Sequence, residues 1–452
     1  MHIKSLKPKK SPGLDGITNI ALQRSPGNLI LLLTNIINAI LCLGYFPRQW
    51  KKAAVVPIHK AGSDPTIPAN YRPISLLSSA SKIAEKVILQ RLADFLKENN
   101  TIINEQFGFR RKHSTTHQLL RVAELIHQNF AIKSSTAILF LDIARAFDKV
   151  WIQGLVHKLI KLQIPNMLVK IIHNYLTNRS FCVRYNGLLS SFCNILSSVP
   201  QGSLLGPTLF NIYLNDIPHH HKTQLAMYAD DTAIISTSKN LNYLTKQIQS
   251  HITILEDYFT QWKIKLNTSK SEFVIFTKQR TWPNHTLSLG DTIIHPAKQA
   301  KYLGAILDMH LTWKDHLTKA LKKYHIVRNI LNPIISNRKL STNTKILLFK
   351  MALRPILLYA CPVWGSAAPY LIRRIQSVQN QFCKKAARMP WYVRSDLIQA
   401  ELGVNSVPDE IKKQAKHFFN NIHLVGNTLL DNIPDYDLHD PNNSRRPRVL
   451  TA

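Results

Sequence analysis

Cysteine is scarce in this sequence. The 452 residues include only five cysteines, which are widely separated along the chain: Cys42, Cys182, Cys193, Cys361 and Cys383. None belongs to a C-x-x-C pair or has a histidine at the spacing of zinc ligands. The sequence therefore argues against a zinc-binding module and against a small domain held together by disulfides.

Acidic residues are also scarce. Asp and Glu together number 26 against 58 Lys and Arg, which gives a formal net charge of +32. Because 45% of the residues are hydrophobic and only 19% are charged, the chain can bury a core and is not a disordered basic tail. The charge excess is typical of a protein that binds polyanions, most commonly nucleic acid, with an acidic membrane surface as the weaker alternative. The length predicts about two to four domains or subdomains.

Long hydrophobic runs are absent. The most apolar stretch, residues 29–43, is interrupted by Thr34, Asn35 and Asn38, and it falls short of the roughly 20 residues needed to cross a bilayer. We interpret it as a core helix. The first ten residues lack the apolar segment of a secretory signal. These features predict an intracellular protein, in the nucleus or the cytoplasm, with no membrane partner.

The hydrophobic pattern predicts strands and helices in mixed order. The predicted strands are Ala53–Ile58, Ala137–Leu141, Glu272–Phe276 and Ala300–Gly304. The predicted helices are residues 29–43, Ser81–Leu96, a helix with Phe147, Val150, Trp151, Leu155 and Leu159 on one face, Leu241–Trp262, and a helical region from His316 to Arg394. That last region contains 15 Lys and Arg and no Asp or Glu.

Three carboxylates are candidates for chemistry. Asp142 follows a continuous apolar run that is typical of a strand buried on both faces. Asp230 and Asp231 lie between two short apolar runs, as in a hairpin turn. Three carboxylates at one sheet edge would repel each other unless divalent cations lay among them, and oxygen ligands suit Mg²⁺, with Mn²⁺ as an alternative. Two such ions support phosphoryl transfer. For each fragment alone, a polar turn or a helix cap is the competing interpretation.

Several sequence blocks together resemble the reverse transcriptase of non-LTR retrotransposons, most closely the insect Jockey-like group. In chain order these blocks are Lys10–Gly16, Tyr71–Ser75, Phe107–Arg110, Leu141–Asp148, Val199–Pro207, Tyr228–Asp231, Trp262–Asn267 with Lys270, and Lys301–Gly304. The similarity continues through Pro390–Arg394 and so covers nearly the whole chain.

This resemblance implies an α+β right-hand polymerase with fingers, palm and thumb. It predicts fingers with an N-terminal extension at residues 1–135 and a palm at 136–308, with part of the fingers around 160–200. It predicts a basic helical thumb at 309–394 and a C-terminal helical extension and tail at 395–452. Asp142, Asp230 and Asp231 would hold two Mg²⁺ ions.

The resemblance also implies a site for the incoming deoxynucleoside triphosphate (dNTP). The residues assigned to it are Lys60 and Arg72 for the triphosphate, Phe147 beneath the sugar, and Gln201 and Gly202 against the nucleotide and template base. Lys270 would lie near the departing pyrophosphate as a general acid. From the residues alone, a core aromatic is the favoured interpretation of Phe147. Gly202 could equally be part of a Pro-Gly turn, and surface cations are the competing interpretation of Lys60, Arg72 and Lys270.

Nucleic acid contacts are predicted in three places. Phe107, Arg110 and Arg111 would contact the template by stacking and phosphate pairing. Tyr302, Leu303 and Gly304 resemble the hairpin that holds the primer end. Arg373, Arg374, Lys384 and Lys385 lie in the acid-free region and would follow a duplex backbone without reading bases.

The predicted function is RNA-directed DNA synthesis, with an RNA template, a DNA primer or target, and dNTP as partners. One alternative is a catalytically inactive, retroelement-derived protein that binds RNA or DNA. Another is a nuclease, since carboxylates with Mg²⁺ serve cleavage equally well. The oligomeric state is left open.

Overall fold

Each of two structural units is built from three stretches of the chain that are distant in sequence. The first unit comprises Met1–Phe109, Ile143–Pro218 and Ile254–Leu266, and the second comprises Arg110–Asp142, His219–Thr253 and Asn267–Ala452. The structure is a computed structural model that describes residues 2–60, 62–279, 285–433, 436–440 and 443–451.

The helices follow the predicted pattern over most of their length. Within the described residues they are α1 (Asn19–Gln23), α2 (Gly27–Leu43), α3 (Ser79–Glu98), α4 (Thr115–Ala131), α5 (Ile152–Lys161), α6 (Asn166–Leu176), α7 (Gly206–Tyr213), α8 (Leu241–Gln261), α9 (Lys314–Ile330), α10 (Asn332–Ile335), α11 (Thr342–Leu348), α12 (Arg354–Leu357), α13 (Cys361–Trp364), α14 (Pro369–Ala387), α15 (Ser395–Glu401), α16 (Val407–Asn420) and α17 (Thr428–Asp431). The helical prediction for residues 316–394 is confirmed by α9 to α14.

The strands form two larger sheets and two hairpins. In the described residues they are β1 (Lys52–His59), β2 (Tyr71–Leu76), β3 (Ser135–Leu141), β4 (Arg179–Tyr185), β5 (Leu188–Leu189), β6 (Cys193–Ile195), β7 (Gln224–Tyr228), β8 (Asp231–Ser238), β9 (Glu272–Phe276), β10 (Leu287–Leu289), β11 (Thr292–Ile294), β12 (Gln299–Tyr302) and β13 (Ala305–Asp308). All four predicted strands are present, but the strand predicted for Ala300–Gly304 ends at Tyr302, and Leu303 and Gly304 lie in the turn that follows it.

The sheet of the first unit has the order β2-β1-β4-β5, and β6 also pairs with β4. β1 runs antiparallel to β2 and parallel to β4. Helix α2 buries only one of its own faces, which carries Leu33, Ile37 and Ile40, whereas Leu31 is 62% exposed. The prediction of a core helix is therefore correct for one face of α2 and wrong for the other.

The helix predicted directly after Asp142 begins later than expected. α5 starts at Ile152, so Phe147 lies in a preceding turn and Val150 in the irregular residues just before the helix. Arg145 has a φ of +50°, a left-handed backbone conformation that a right-handed helix cannot include. The apolar spacing predicted one continuous helix because side-chain periodicity does not report such a backbone reversal.

The sheet of the second unit is antiparallel, with the order β7-β8-β3-β9. Its central strand β3 is buried along its whole length, as the continuous apolar run predicts. Helix α4 covers this sheet, and its N-terminus has a capping box in which the Ser114 hydroxyl accepts from the His117 backbone N–H. The same core continues into the β12–β13 hairpin and α9, α13 and α14. No helix among the described residues is long and apolar enough to cross a membrane.

Candidate active site

The three carboxylates lie at one edge of the sheet in the second unit. Asp142 follows the last residue of β3, and Asp231 begins β8. β3 and β8 are paired antiparallel with Leu141 opposite Thr232, so the end of one strand lies beside the start of the other. Asp230 occupies the two-residue turn between Tyr228 and Asp231. The predicted hairpin is therefore confirmed.

The turn that carries Asp230 is strained. Ala229, its first central residue, has a φ of +58° and is 5% exposed. Glycine usually occupies such a position, because a Cβ disfavours the left-handed region by about 1–2 kcal/mol. Backbone strain of this kind is concentrated at functional sites, where the surrounding structure imposes it.

The carboxylates influence one another electrostatically. Burial, followed by the charges of Asp230 and Asp142, raises the pKa of Asp231 to about 6, although Lys301 opposes the shift. Burial and the charge of Asp142 also raise the pKa of Asp230. Two ionised neighbours disfavour a third, so this edge of the sheet attracts cations.

The donor set suits a hard divalent ion. Carboxylate oxygens are the ligands that Mg²⁺ prefers, and a cation would relieve the repulsion among Asp142, Asp230 and Asp231. Within the described part of the chain, no group of three or more His, Cys, Asp or Glu side chains is arranged as a ready-made metal site. The residues fit Mg²⁺ by their chemistry and their shared location, and their side chains would have to converge around it.

Lys270 lies in a short segment attached to Asp142. The Asn267 N–H donates to the Asp142 carbonyl at 2.8 Å, and the Asp142 N–H donates to the Ser271 hydroxyl at 3.5 Å. Lys270 ends the intervening 3₁₀ turn and is exposed. The structure therefore brings the predicted general acid into the same part of the second unit as the carboxylates.

The predicted primer hairpin is the tight turn between β12 and β13. Leu303 and Gly304 form the turn, both with positive φ, and the ring of Tyr359 lies 3.3 Å from where a Cβ on Gly304 would be. The Tyr359 hydroxyl donates to the Leu303 carbonyl at 2.7 Å. Tyr302 is buried and donates to the Ala226 carbonyl at 3.2 Å, so its side chain anchors the hairpin to β7.

In the first unit, backbone hydrogen bonds connect the segments that carry four of the residues predicted to bind the nucleotide, namely Arg72, Phe147, Gln201 and Gly202. The Ser75 N–H donates to the Gln201 carbonyl at 2.9 Å, which joins the Gln201 loop to the strand that carries Arg72. A Cβ on Gly202, whose φ is +105°, would lie 2.8 Å from the Ser75 carbonyl oxygen, so only glycine fits this approach. The Val199 N–H donates to the Phe147 carbonyl at 2.9 Å.

Lys60 lies at the loop end of the β1–β2 hairpin, directly after the last residue of β1. Its N–H donates to the Asn70 carbonyl at 2.8 Å, one residue beyond the last β1–β2 pair. Arg72 is exposed and pairs through its backbone with Ile58. The two predicted triphosphate ligands therefore lie near the same end of this hairpin, Lys60 just after β1 and Arg72 in β2.

Two acids that the sequence analysis missed position the Gln201 loop. The Gln201 side-chain amide donates to a carboxylate oxygen of Asp148 at 2.9 Å. Glu85 is fully buried on α3 and accepts from the Leu204 N–H at 2.7 Å and the Ser81 hydroxyl at 3.2 Å. Burial raises the pKa of both carboxyls. Glu85 is buried on α3 together with Ile88 and other apolar residues of that helix. An acidic residue among the apolar positions of a helix is the sequence feature from which this role could have been predicted.

In the segment that was predicted to contact the template, residues 107–111, the exposed aromatic residue is not the one predicted. Phe107 is 0% exposed, so its ring belongs to the core and is not available for stacking. Phe109, two residues later, is 51% exposed and lies edge-on to Phe147 with ring centroids 6.0 Å apart. Phe147 in turn stacks on Phe210 at 4.9 Å. Arg110 is half-buried and Arg111 is exposed.

The four thumb cations lie along one face of α14. Arg373 and Lys384 are 11 residues apart, as are Arg374 and Lys385, and this spacing returns to the same side of a helix after about 16 Å. Arg373, Arg374 and Lys385 are exposed. Lys384 donates to the Trp391 carbonyl and Lys385 to the Asn332 side chain, each at 2.6 Å.

Known proteins resemble this chain over most of its length. A family described as "Reverse transcriptase (RNA-dependent DNA polymerase)" matches residues 58–307. The "Probable RNA-directed DNA polymerase from transposon BS" of Drosophila melanogaster is 36% identical over 426 residues, which cover 92% of this chain and 47% of that protein. The "RNA-directed DNA polymerase from mobile element jockey" of the same species is 34% identical, covering 94% and 47% respectively.

The chain thus spans about half the length of the curated relatives it matches. Among solved structures, apo telomerase from Candida tropicalis is 9% identical with a TM-score of 0.43, covering 89% of this chain and 72% of that one. The predicted resemblance to Jockey-like non-LTR elements and the predicted α+β right-hand polymerase class are both confirmed. From the family match and the mobile-element relatives we conclude that this chain belongs to the reverse transcriptase family.

Proposed function

We propose that this chain is an RNA-directed DNA polymerase that adds dNTPs to the 3′-hydroxyl of a primer. The observation that carries the proposal is the location of Asp142, Asp230 and Asp231 at one sheet edge, where burial and the neighbouring carboxylate charges raise the pKa values of Asp230 and Asp231. When bound, two Mg²⁺ ions would neutralise these carboxylates and polarise the reacting phosphate oxygens.

The residues of the chain have separate roles in this proposal. The three carboxylates hold the catalytic position at the end of β3, and Lys270 donates a proton to the departing pyrophosphate. The positively charged side chains of Lys60 and Arg72 bind the triphosphate. Arg110, Arg111 and the α14 cations contact the template and primer backbones. Of these residues, Arg111, Arg373, Arg374 and Lys385 are exposed.

We also propose the functional boundaries of the right hand. Residues 1–135 form the fingers with an N-terminal extension, and residues 136–308 form the palm, with part of the fingers around 160–200. Residues 309–394 form the thumb, and residues 395–452 form a C-terminal extension. The support is the order of the sequence blocks and the β7-β8-β3-β9 sheet that carries the carboxylates.

Primer extension tests the proposed activity. The purified chain is incubated with an RNA template, an annealed DNA primer, Mg²⁺ and dNTPs, and a parallel preparation carrying Asp142→Asn controls for contaminating polymerases. Extension by the wild type alone supports the proposal. Binding of the template–primer without extension favours the inactive nucleic-acid binder, and shortening of either strand favours the nuclease.

Replacing Phe147 with valine is expected to relax the selection of deoxynucleotides. A ring beneath the sugar would collide with a 2′-hydroxyl, so its removal should narrow the preference for dNTP over NTP by roughly 10- to 100-fold. The measurement is the ratio of kcat/KM for the two substrates. Phe109→Leu is the matched control, because it alters a ring 6.0 Å away and leaves Phe147 in place. An unchanged ratio in Phe147→Val would refute this role.

Replacing Asp148 with alanine is expected to raise the KM for dNTP about tenfold, because a hydrogen bond to a charged group contributes about 1.5–3 kcal/mol. Without the acceptor at 2.9 Å, the Gln201 side chain loses its orientation. Asp148→Asn keeps an acceptor oxygen and should recover most of the loss. Steady-state primer extension measures both variants, with the exposed Asp94→Ala as control. Equal defects in the alanine and asparagine variants would contradict a positioning role.

A further inference from the structure

A cavity of about 220 Å³ in the second unit has no role in the chemistry described above. The rings of Phe130 and Trp313 form part of its wall. Its polar lining is dominated by nitrogen-bearing side chains, namely His127, Lys278, His310, Asn443, Arg445 and Arg446. Within the described part of the chain, no Asp or Glu lines it. The cavity is therefore strongly positive in character.

Two acids contact residues of the cavity lining, and one of them neutralises Arg446. Glu124 accepts from the Arg446 guanidinium at 2.9 Å and from the Tyr436 hydroxyl at 2.8 Å. Asp308 accepts from the backbone N–H groups of Thr312 and Trp313. Among the described residues, neither Lys278 nor Arg445 forms an ion pair. Both side chains are exposed at the cavity and carry uncompensated charge.

A buried histidine gives independent support. His127 is 9% exposed, and its Nε2 has no hydrogen-bond partner among the described residues. Burial, followed by the charges of Arg446, Lys278 and Arg445, lowers the pKa of His127 to about 3. The imidazole is therefore neutral, and its unused ring nitrogen can donate to an acceptor in the cavity.

We propose that this cavity is a phosphate-binding site. Lys278 and Arg445 supply two positive charges, and the Arg fork matches the geometry of a phosphate group. Neutral His127 donates a further hydrogen bond from within the cavity wall. The volume corresponds to about seven water molecules at their share of liquid volume, which accommodates phosphate or pyrophosphate. The phosphate comes either from a free anion or from the backbone of a nucleic acid strand.

Two binding measurements on the full chain test the site and distinguish these sources. Calorimetry measures the Kd for inorganic pyrophosphate at constant ionic strength, and fluorescence anisotropy measures the Kd for a short RNA–DNA duplex over a salt series. The variants are Lys278→Gln with Arg445→Gln, and His127→Phe. The matched control, Lys413→Gln with Lys416→Gln, removes two exposed charges from α16. Melting temperatures verify that each variant is folded.

For a free anion, both cavity variants should weaken pyrophosphate binding at least about tenfold and leave duplex binding unchanged. For a strand phosphate, the double cavity variant should instead weaken duplex binding and lower its salt slope by about one to two. In either case the α16 control should bind as the wild type does. Unchanged binding in the cavity variants, or an equal loss in the control, would overturn the proposal. Because the double variant changes only exposed side chains, it keeps the test decisive even if His127→Phe is unstable.

Discussion

Replacing Asp231 with asparagine is expected to abolish DNA synthesis and at the same time to raise the melting temperature of the metal-free protein. The loss of activity should be on the order of 10³-fold or more, the scale seen when one electrostatic contact to a transition state is removed. The two effects have one cause. The carboxylate that serves the chemistry is held among like charges, and those charges oppose folding when no cation is bound.

The sign of the stability effect follows from the pKa of Asp231, which rises from its ordinary value of 3.8 to about 6 on folding. The folded protein therefore holds this proton more tightly than the unfolded chain does. The carboxyl favours folding when it is protonated at low pH, and this contribution is lost as pH rises from about 4 to 6. Above pH 6, Asp231→Asn removes an unfavourable charge, and we expect a gain of about 1 kcal/mol after allowing for solvent screening.

Thermal melting and primer extension together check this prediction. Mg²⁺ should raise the melting temperature of the wild type more than that of Asp231→Asn, since the variant retains only two of the three carboxylates. Asp291→Asn is the matched control, because Asp291 is an exposed acid of the same unit. DNA synthesis at the wild-type rate by Asp231→Asn would contradict the assigned role. A melting temperature at pH 7 below that of the wild type would contradict the electrostatic argument.

The features that could be predicted from the sequence are those that short stretches of the chain determine. β3 is a continuous apolar run because both of its faces are buried, and the pair of Asp230 and Asp231 predicts a turn because apolar runs flank it. The glycine at position 202 is a similar case, since the nearby Pro200 and Gly202 predict a turn and Gly202 has a φ of +105°. Local composition specifies each of these features.

Features that depend on distant partners could not be predicted in this way. Phe107 and Phe109 are the same residue type two positions apart, and only the packing around them decides that the first is buried and the second exposed. Tyr359 supports the Leu303 carbonyl from 56 residues away in the sequence. The start of α5 was predicted too early because Arg145 reverses the backbone, and no apolar spacing records a positive φ.

The buried ion pair between Glu124 and Arg446 is a further long-range feature, and breaking it should have a large effect on stability. Two guanidinium nitrogens of Arg446 donate to one oxygen of Glu124 at 2.9 and 3.1 Å, and the Tyr436 hydroxyl donates to the other oxygen. The Arg446 guanidinium also lies 3.4 Å from the centroid of the Tyr436 ring. The side chains of Glu124 and Arg446 are 2% and 9% exposed. This cluster joins α4, which covers the β3 sheet, to the C-terminal segment.

Arg446→Ala is therefore expected to lower the free energy of unfolding by about 3–5 kcal/mol, because it leaves a buried carboxylate without its counter-charge. Burial already raises the pKa of Glu124 and Arg446 opposes that shift, so the variant should raise this pKa further. The folded variant would then take up a proton at Glu124, and its stability should fall as pH rises through the new pKa.

Urea unfolding of a double-mutant cycle measures the pair. Glu124→Gln with Arg446→Met removes both charges while keeping most of the volume, and it should be more stable than Arg446→Ala, since no buried charge is left unpaired. Arg445→Ala is a neighbouring control, because Arg445 is exposed and forms no ion pair among the described residues. If Arg446→Ala and Arg445→Ala unfold at the same urea concentration, the ion pair contributes nothing to stability. A midpoint for the double variant at or below that of Arg446→Ala would contradict the assignment of the loss to an unpaired buried carboxylate.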